Sequence, residues 1–272
     1  MNKSKERAKE IINIHLKNIT SLAKSCVNSI ILVGSLSDDS YTGNAGRDID
    51  LIHILKKNSS SFDRDKILKI IDKSENDTNK DIPISKCVYH YEDLFRPYNT
   101  DFELCLKNKD YMELPIEVLR VKDTGIVIWG ENVIDSLNTP TKEDVIKFNK
   151  ISQRWTKIVE KENPKFYEEY KKMIDAPTIR ILVQMIITKA MLQYYFATGE
   201  SCSSKKQINV KMKENVVKYR FQKLLDLCVK WRYTPNEITR SDEEYIMNNY
   251  KEWKLAHENK ECDYIPLLDD SI

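Results

Sequence analysis

The sequence predicts two domains of different class. Residues 1–138 read as a mixed α/β (α+β) domain with a small mixed sheet, and residues 139–272 as an all-α helical bundle. Three observations carry this reading. Short apolar runs of strand length alternate with stretches of helical periodicity up to residue 138. Beyond it, Thr139-Pro140-Thr141-Lys142-Glu143-Asp144 is a helix-start signal with proline, polar caps and early acids, and strand-like runs disappear. Finally, residues 179–196 are apolar on most faces, which suits the central helix of a bundle.

The elements follow in order. Residues 4–26 place Ile11, Ile12, His15, Leu16, Ile19 and Leu22 at helical spacing, so a helix is expected to pack on the sheet. Residues 28–33 read as a buried strand, a short helix is expected near Ser35, and 48–56 is a second strand. FDRDKILKIIDK (62–73) has amphipathic helix spacing, PISKCVYH (83–90) reads as a third strand, 113–121 as a helix, and GIVIWG (125–130) as a short strand. In the bundle, helices are expected at 142–161, 165–174, 177–198, 205–231 and 237–257, with Gly199-Glu200-Ser201 ending the apolar one.

Composition narrows the function classes. A length of 272 residues fits two modest domains, and 41% hydrophobic with 32% charged residues describes a soluble chain with material for a core. A formal net charge of +2 counts against nucleic acid as a partner, because a broad basic face is expected there. The charged, amphipathic N-terminus has no signal-peptide core and no membrane span is visible, so a cytoplasmic protein is expected. The six cysteines (Cys26, Cys87, Cys105, Cys202, Cys228, Cys262) form no C-x-x-C and read as reduced thiols; the four histidines make no zinc pattern.

The chemistry concentrates in residues 30–55. The run Ile30-Ile31-Leu32-Val33 ends in Gly34-Ser35, and a polar excursion leads to Asp48-Ile49-Asp50 at the head of a second apolar run. On a strand, Asp48 and Asp50 point to one side, about 7 Å apart, and Ile49 to the other. A divalent cation relieves their mutual repulsion, and Mg²⁺ takes one or two carboxylates plus substrate phosphates. Gly34 allows backbone close to a phosphate, and Ser35 adds a hydroxyl and an N–H donor.

With these residues in place, the segment resembles the signature of the DNA polymerase beta-type nucleotidyltransferase superfamily: Gly-Ser, a short helix and loop, then Asp-X-Asp. The layout of such a domain followed by a bundle is similar to the kanamycin and aminoglycoside nucleotidyltransferases. Two departures stand out. Asp39 lies where many members carry glycine, and the loop Tyr41-Thr42-Gly43-Asn44-Ala45-Gly46 is a residue or two longer. The resemblance implies an enzyme that moves a nucleoside monophosphate, AMP in the first instance, from Mg-ATP or another nucleoside triphosphate to a hydroxylated small molecule, for example an aminoglycoside in antibiotic resistance. Asp48 and Asp50 would be catalytic and would ligate metal, two Mg²⁺ ions in the full arrangement. Gly34 and Ser35 would bind nucleotide. Arg154, at a place where the resemblance puts a lysine, would contact phosphate. A homodimer with a shared cleft is also implied.

The third carboxylate of the superfamily has no counterpart at its expected place, which falls on Ser85 or Lys86; Asp81 and Glu92 are the nearest acids. The helical base of the kanamycin enzymes would fall on Asn149 or Lys150, and Glu143 and Asp144 suit a helix N-terminus better. An alternative is therefore a catalytically silent nucleotide-binding sensor or partner-binding module, and a third is a protein- or RNA-directed transferase. Arg47 is read as neutralising the loop. His53 falls on the face opposite Asp50, where a packed histidine is expected. For a polycationic acceptor, acids are available at Glu160, Glu162, Glu168, Glu169, Asp242, Glu243 and Glu244, and stacking surfaces at Tyr167, Tyr170, Tyr194 and Tyr195; solvated faces and core positions are the ordinary roles of such residues.

Overall fold

Val27–Leu32, with β-branched Val27, Ile30 and Ile31, forms β1, and Leu51–Leu55 forms β2 beside it. In the computed structural model, which describes residues 3–41, 48–95, 109–147, 160–161, 163–175, 177–216 and 218–258, these strands lie at the middle of a four-stranded sheet. Its order is β3-β2-β1-β4, with β3 at Cys87–Tyr89 and β4 at Ile126–Gly130. β1 pairs antiparallel with β2 and β4, and β2 pairs parallel with β3. The parallel pair needs a crossover, supplied by helix α2, Ser61–Asp77. A capping box between Ser60 and Asp63 starts that helix.

Strand alternation divides the sheet into two faces. Ile30, Leu32, Leu51 and Leu55 join one core with helix α1 (Lys3–Leu22) and α2. Helix α1 contributes Ala8, Ile11, Ile12 and Ile19 at helical spacing; α2 contributes Ile67, Ile70 and Ile71. His15 and His53 are also buried on this face, with the two Nε2 atoms 2.8 Å apart. On the opposite face Ile31, Ile52 and Ile54 are equally buried. Here helix α4 (Lys109–Thr124) runs through Gly125 into β4, and Gly125 leaves room for Ile31 Cγ2 at 3.1 Å from where a Cβ would stand. A short helix α3, Tyr91–Phe95, follows β3.

The chain divides into compact units at residues 141 and 142. The second unit is helical throughout its described elements. After a helical stretch at 142–147 come α5 (Pro164–Asp175), α6 (Ile179–Thr198), α7 (Ile208–Asn215), α8 (Gln222–Tyr233) and α9 (Arg240–Glu258). The apolar α6 buries Leu182, Val183, Ile186, Ile187, Ala190 and Tyr194 in a core shared with α7, α8 and α9. Each fully buried aliphatic of this kind contributes roughly 1.5–3 kcal/mol. Gly199, at φ +80°, caps α6 and donates its N–H to the Tyr195 carbonyl at 2.8 Å.

One expected helix is two. The stretch 205–231 breaks between Asn215 and Gln222, where Val216, Tyr219 and Phe221 all bury their side chains and Lys218 takes φ +60°. Three large apolar residues at spacings 3 and 2 cannot face one core from a continuous helix, so the backbone turns. No described helix is long and apolar enough to cross a membrane. The described cysteines, Cys26, Cys87, Cys202 and Cys228, are in no disulfide.

Candidate active site

The antiparallel ladder of β1 and β2 runs one step past the named strands: Val33 N–H donates to the Asp50 carbonyl at 3.0 Å. This sets Gly34 beside Asp50. Gly34 has φ +74°, and a Cβ built there would lie 2.2 Å from Asp50 Oδ2 and 3.0 Å from Arg120 Nη2. Only glycine fits, both for the left-handed backbone and because its bare α-carbon is the floor on which the carboxylate rests. Its carbonyl accepts from Ser37 N, Asp38 N and Ser37 Oγ, closing a single 3-10 turn over Gly34–Leu36. The turn replaces the expected short helix, so a helix dipole supplies nothing here. Ser35 is partly exposed on it.

Asp39 explains one departure of the loop. It adopts φ +62°, a backbone that asparagine and aspartate tolerate better than other side-chain-bearing residues, and its carboxylate pairs with Lys5. Glycine is not required where aspartate can take the same conformation.

Asp48, Ile49 and Asp50 alternate as expected. Ile49 is fully buried and forms a parallel bridge with Ile84; Asp48 is exposed and Asp50 partly so. The β2–β3 register then sets Ser85 opposite Asp50, two positions before the Ile52–Cys87 pair. Ser85 does no acid's work. Its Oγ accepts from Leu51 N and donates to the Leu51 carbonyl, both at 2.8 Å, standing in for a ladder that β3 begins only at Cys87. Lys86 turns to the α2 side and pairs with Asp72 at 2.5 Å, which holds its ammonium above the ordinary range. The two nearest acids are committed elsewhere. Asp81 is gripped by Arg7 at 2.8 Å, and Glu92 accepts from Asn58 N at 2.7 Å, which lowers its carboxyl.

The carboxylate beside Asp50 comes from α4. Arg120 Nη2 lies 3.1 Å from Asp50 Oδ2, and Arg120 Nη1 lies 3.1 Å from both oxygens of Glu117. Glu117 is buried. Burial pulls the Arg120 guanidinium downward, but the two carboxylates more than reverse this and hold it above its ordinary value. Sequence reading placed a helix here without singling out either residue. The available signal was a Glu–Arg pair three apart, interleaved with the buried Val118, Leu119 and Val121.

Among the described residues no group of three or more histidine, cysteine, aspartate or glutamate side chains is placed to hold a metal ion. Asp48 and Asp50 offer two hard oxygen donors. That set fits a Mg²⁺ whose remaining ligands are phosphate oxygens and water, the usual manner in which this ion meets a nucleotide. Arg154, Arg47, loop residues 42–46, Asn149 and Lys150 lie outside the described residues. In the bundle, Tyr194 and Tyr195 are core residues. At the start of α9 the Asp242 carboxylate accepts from Thr239 N at 2.9 Å, Glu243 accepts from Trp231 Nε1 at 2.9 Å, and Glu244 pairs with Arg240. Those acids serve α9 and its contact with α8.

No family model matches the sequence, and no curated protein matches it. Solved structures do. The spectinomycin adenyltransferase AAD(9) from Enterococcus faecialis, solved with ATP and spectinomycin, is similar over 89% of this chain and 99% of its own, at 13% identity and a TM-score of 0.50. A toxin-antitoxin complex solved with AMP-PNP matches 58% of this chain at 15% identity and a TM-score of 0.27. A tri-AMPylated Shewanella oneidensis HEPN toxin in complex with MNT antitoxin matches 62% at 15% identity and 0.24; these two cover 97% and 98% of their own chains. The likeness to the adenyltransferase establishes a nucleotidyltransferase fold: a small mixed sheet with helices, followed by a helical region.

Proposed function

We propose that this chain is a nucleotidyltransferase that transfers a nucleoside monophosphate, AMP in the first instance, from Mg-ATP or a related triphosphate to a hydroxyl of a small molecule. One observation carries the reading: Asp50 rests on the bare α-carbon of Gly34 with Asp48 exposed beside it, on a fold whose solved relative holds ATP and spectinomycin. On this reading residues 1–138 are the transferase domain and 139–272 the bundle. Aminoglycosides are the first acceptors to try.

Asp48 and Asp50 would hold Mg²⁺, which when bound neutralises the triphosphate. The chain's own residues then position. The Gly34–Ser35 turn lets phosphate approach the main chain, and Ser35 offers its hydroxyl. The acceptor oxygen bonds to the α-phosphorus as the bond from that phosphorus to the bridging oxygen breaks; pyrophosphate leaves and the hydroxyl proton passes to a base. Transfer of this type needs chiefly alignment and charge compensation.

A second reading, a nucleotide-binding protein without turnover, is favoured by one finding. At the third carboxylate's place Ser85 spends its hydroxyl on Leu51, and the nearby acid Glu117 is held by Arg120. One assay separates the two. The protein is incubated with Mg²⁺, α-labelled ATP and a panel of aminoglycosides, beside Asp48→Asn. Label on an acceptor, reduced about 100-fold or more in the variant, supports transfer. ATP binding without label on any acceptor supports the silent reading, and absence of both rejects the nucleotide site.

A further inference from the structure

Asp48, Ile49 and Asp50 come before β2 begins at Leu51, and residues 81–85 opposite them come before β3 begins at Cys87. Pairing at this point is a single bridge, Ile49 to Ile84. Ile49 N–H donates to the Pro83 carbonyl at 2.8 Å, and the Ile49 carbonyl accepts from Ser85 N at 2.9 Å. Both backbone groups of Ile49 are thus held by 83–85, and its side chain is fully buried. This residue sets where the carboxylates on either side of it project.

The segment that holds Ile49 has to be held itself. It leaves α2 through Asn79 and Lys80, two successive side-chain-bearing residues at φ +56° and +55°. Asparagine tolerates that region; lysine takes it at a cost, and keeps it only where the surroundings fix it. Two side chains reach the segment beyond the turn. Glu75 of α2 accepts from Ile84 N at 2.8 Å. From α1, Arg7 places Nε at 3.0 Å and Nη2 at 2.8 Å on one oxygen, Asp81 Oδ2. Its Nη1 donates to Glu10 at 2.9 Å, one turn along the helix, which aims the guanidinium.

We propose that Arg7 is a positioning residue for the metal site, acting through Asp81. The pair fixes segment 81–85 at its start, the segment fixes Ile49, and Ile49 fixes the separation and direction of Asp48 and Asp50. The inference rests on the reading of Asp48 and Asp50 as metal ligands. It gives Asp81 a duty toward the site without contact to metal. A pair that served folding alone would leave the metal affinity of the folded chain untouched.

Mn²⁺ is the probe, followed on full-length protein without nucleotide by loss of the free ion's paramagnetic resonance signal. The chains compared are wild type, Asp48→Asn, Arg7→Gln, Arg7→Lys, Asp81→Asn and the double variant Arg7→Gln with Asp81→Asn, each with its folded fraction taken from urea unfolding. A positioning pair predicts Mn²⁺ binding about fivefold weaker per folded molecule in Arg7→Gln and in Asp81→Asn, the scale of one exposed ion pair. It predicts no further loss in the double variant and partial recovery in Arg7→Lys. Long-range charge alone would move the two single variants in opposite directions, because one loses a cation and the other an anion. If Arg7→Gln does not fold by circular dichroism, Asp81→Asn breaks the same contact from the other side and carries the test. Unchanged affinity in the folded variants, shifts of opposite sign, or losses that add in the double variant overturn the proposal, while Asp48-dependent binding in wild type stands. If wild type shows no Asp48-dependent binding of Mn²⁺, the metal-site reading fails and takes the proposal with it.

Discussion

Strand β2 and the residue that leads into it carry a polar cluster on each face. On the α4 side, Asp50 shares the Arg120 guanidinium with Glu117 at a quarter-exposed position. On the α1 side, three residues along, His53 is sealed with His15. The inner cluster is built to stay neutral. His53 Nδ1 faces the Cys87 carbonyl at 3.2 Å and must carry the proton there, so its Nε2 accepts from His15 Nε2. His15 Nδ1 then accepts, and Ser74 has one hydroxyl proton for it and for the Ile70 carbonyl. Burial pushes both imidazoles down, His15 further because His53 lies beside it. The outer cluster keeps its charges and meets water. Similar polarity serves different ends: a sealed neutral network ties α1, α2, β2 and β3 together, while a charged one lies at a partly exposed position.

The largest expected effect falls on the outer cluster. Gly34→Ala forces a side chain into the left-handed region and onto Asp50 Oδ2. Backbone strain costs about 1–2 kcal/mol, and Asp50 must move. Nucleotide transfer should fall about 100-fold or more, with a smaller loss of urea stability. Equal loss of function in Gly34→Ala and in a stability-matched core variant would erase the distinction between the clusters.

The inner cluster should show the converse. His15→Ala opens a cavity and strips His53 Nε2 of its partner, for a loss of about 3 kcal/mol in unfolding free energy. Transfer per folded molecule should be unchanged below the melting transition. A fall in kcat without a shift in Tm would move His15 into the site.

Acid acts on the inner cluster through its buried histidines. The folded His53 is lowered from the ordinary 6.5 to about 4. The unfolded chain therefore binds protons first, and stability is intact above about pH 6.5. It declines as pH falls, by up to roughly 1.4 kcal/mol per pH unit for each titrating histidine, and levels off once the folded pair also protonates. Urea unfolding at pH 7 and pH 4.5 checks this, and His15→Ala should weaken the dependence. An equal acid response in that variant would assign the loss to carboxylates instead.

Much of this was legible in the sequence because local pattern and local structure coincide. The Ile30–Val33 run, the Gly34 turn and the alternation of Asp48, Ile49 and Asp50 depend on neighbours a few residues away. The 205–231 stretch did not read correctly, because helical periodicity does not reveal that Val216, Tyr219 and Phe221 share one core. Glu117 and Arg120 were not legible as site residues at all. They lie about seventy residues from Asp50, and only the return of α4 across the sheet brings them to it. Arg154 was chosen by resemblance and lies outside the described residues.

The smallest effect belongs to the position where a third acid was expected. Ser85 stands at the register of Asp50, so its hydroxyl has two conceivable duties, toward the backbone or toward a ligand. The geometry assigns it to the backbone. Leu51 presents an N–H and a carbonyl toward β3 before that strand has begun, and Ser85 Oγ meets both at 2.8 Å. Ser85→Ala therefore removes two bonds at a partly buried edge, at a cost of about 1–2 kcal/mol. Urea unfolding should register that loss. Binding of Mg²⁺ and ATP, measured calorimetrically on the same preparation, should hold within about twofold, since 1.4 kcal/mol would be tenfold. A binding loss larger than the stability loss would show that Ser85 faces ligand after all, and that the serine took over part of the missing acid's duty instead of closing the sheet.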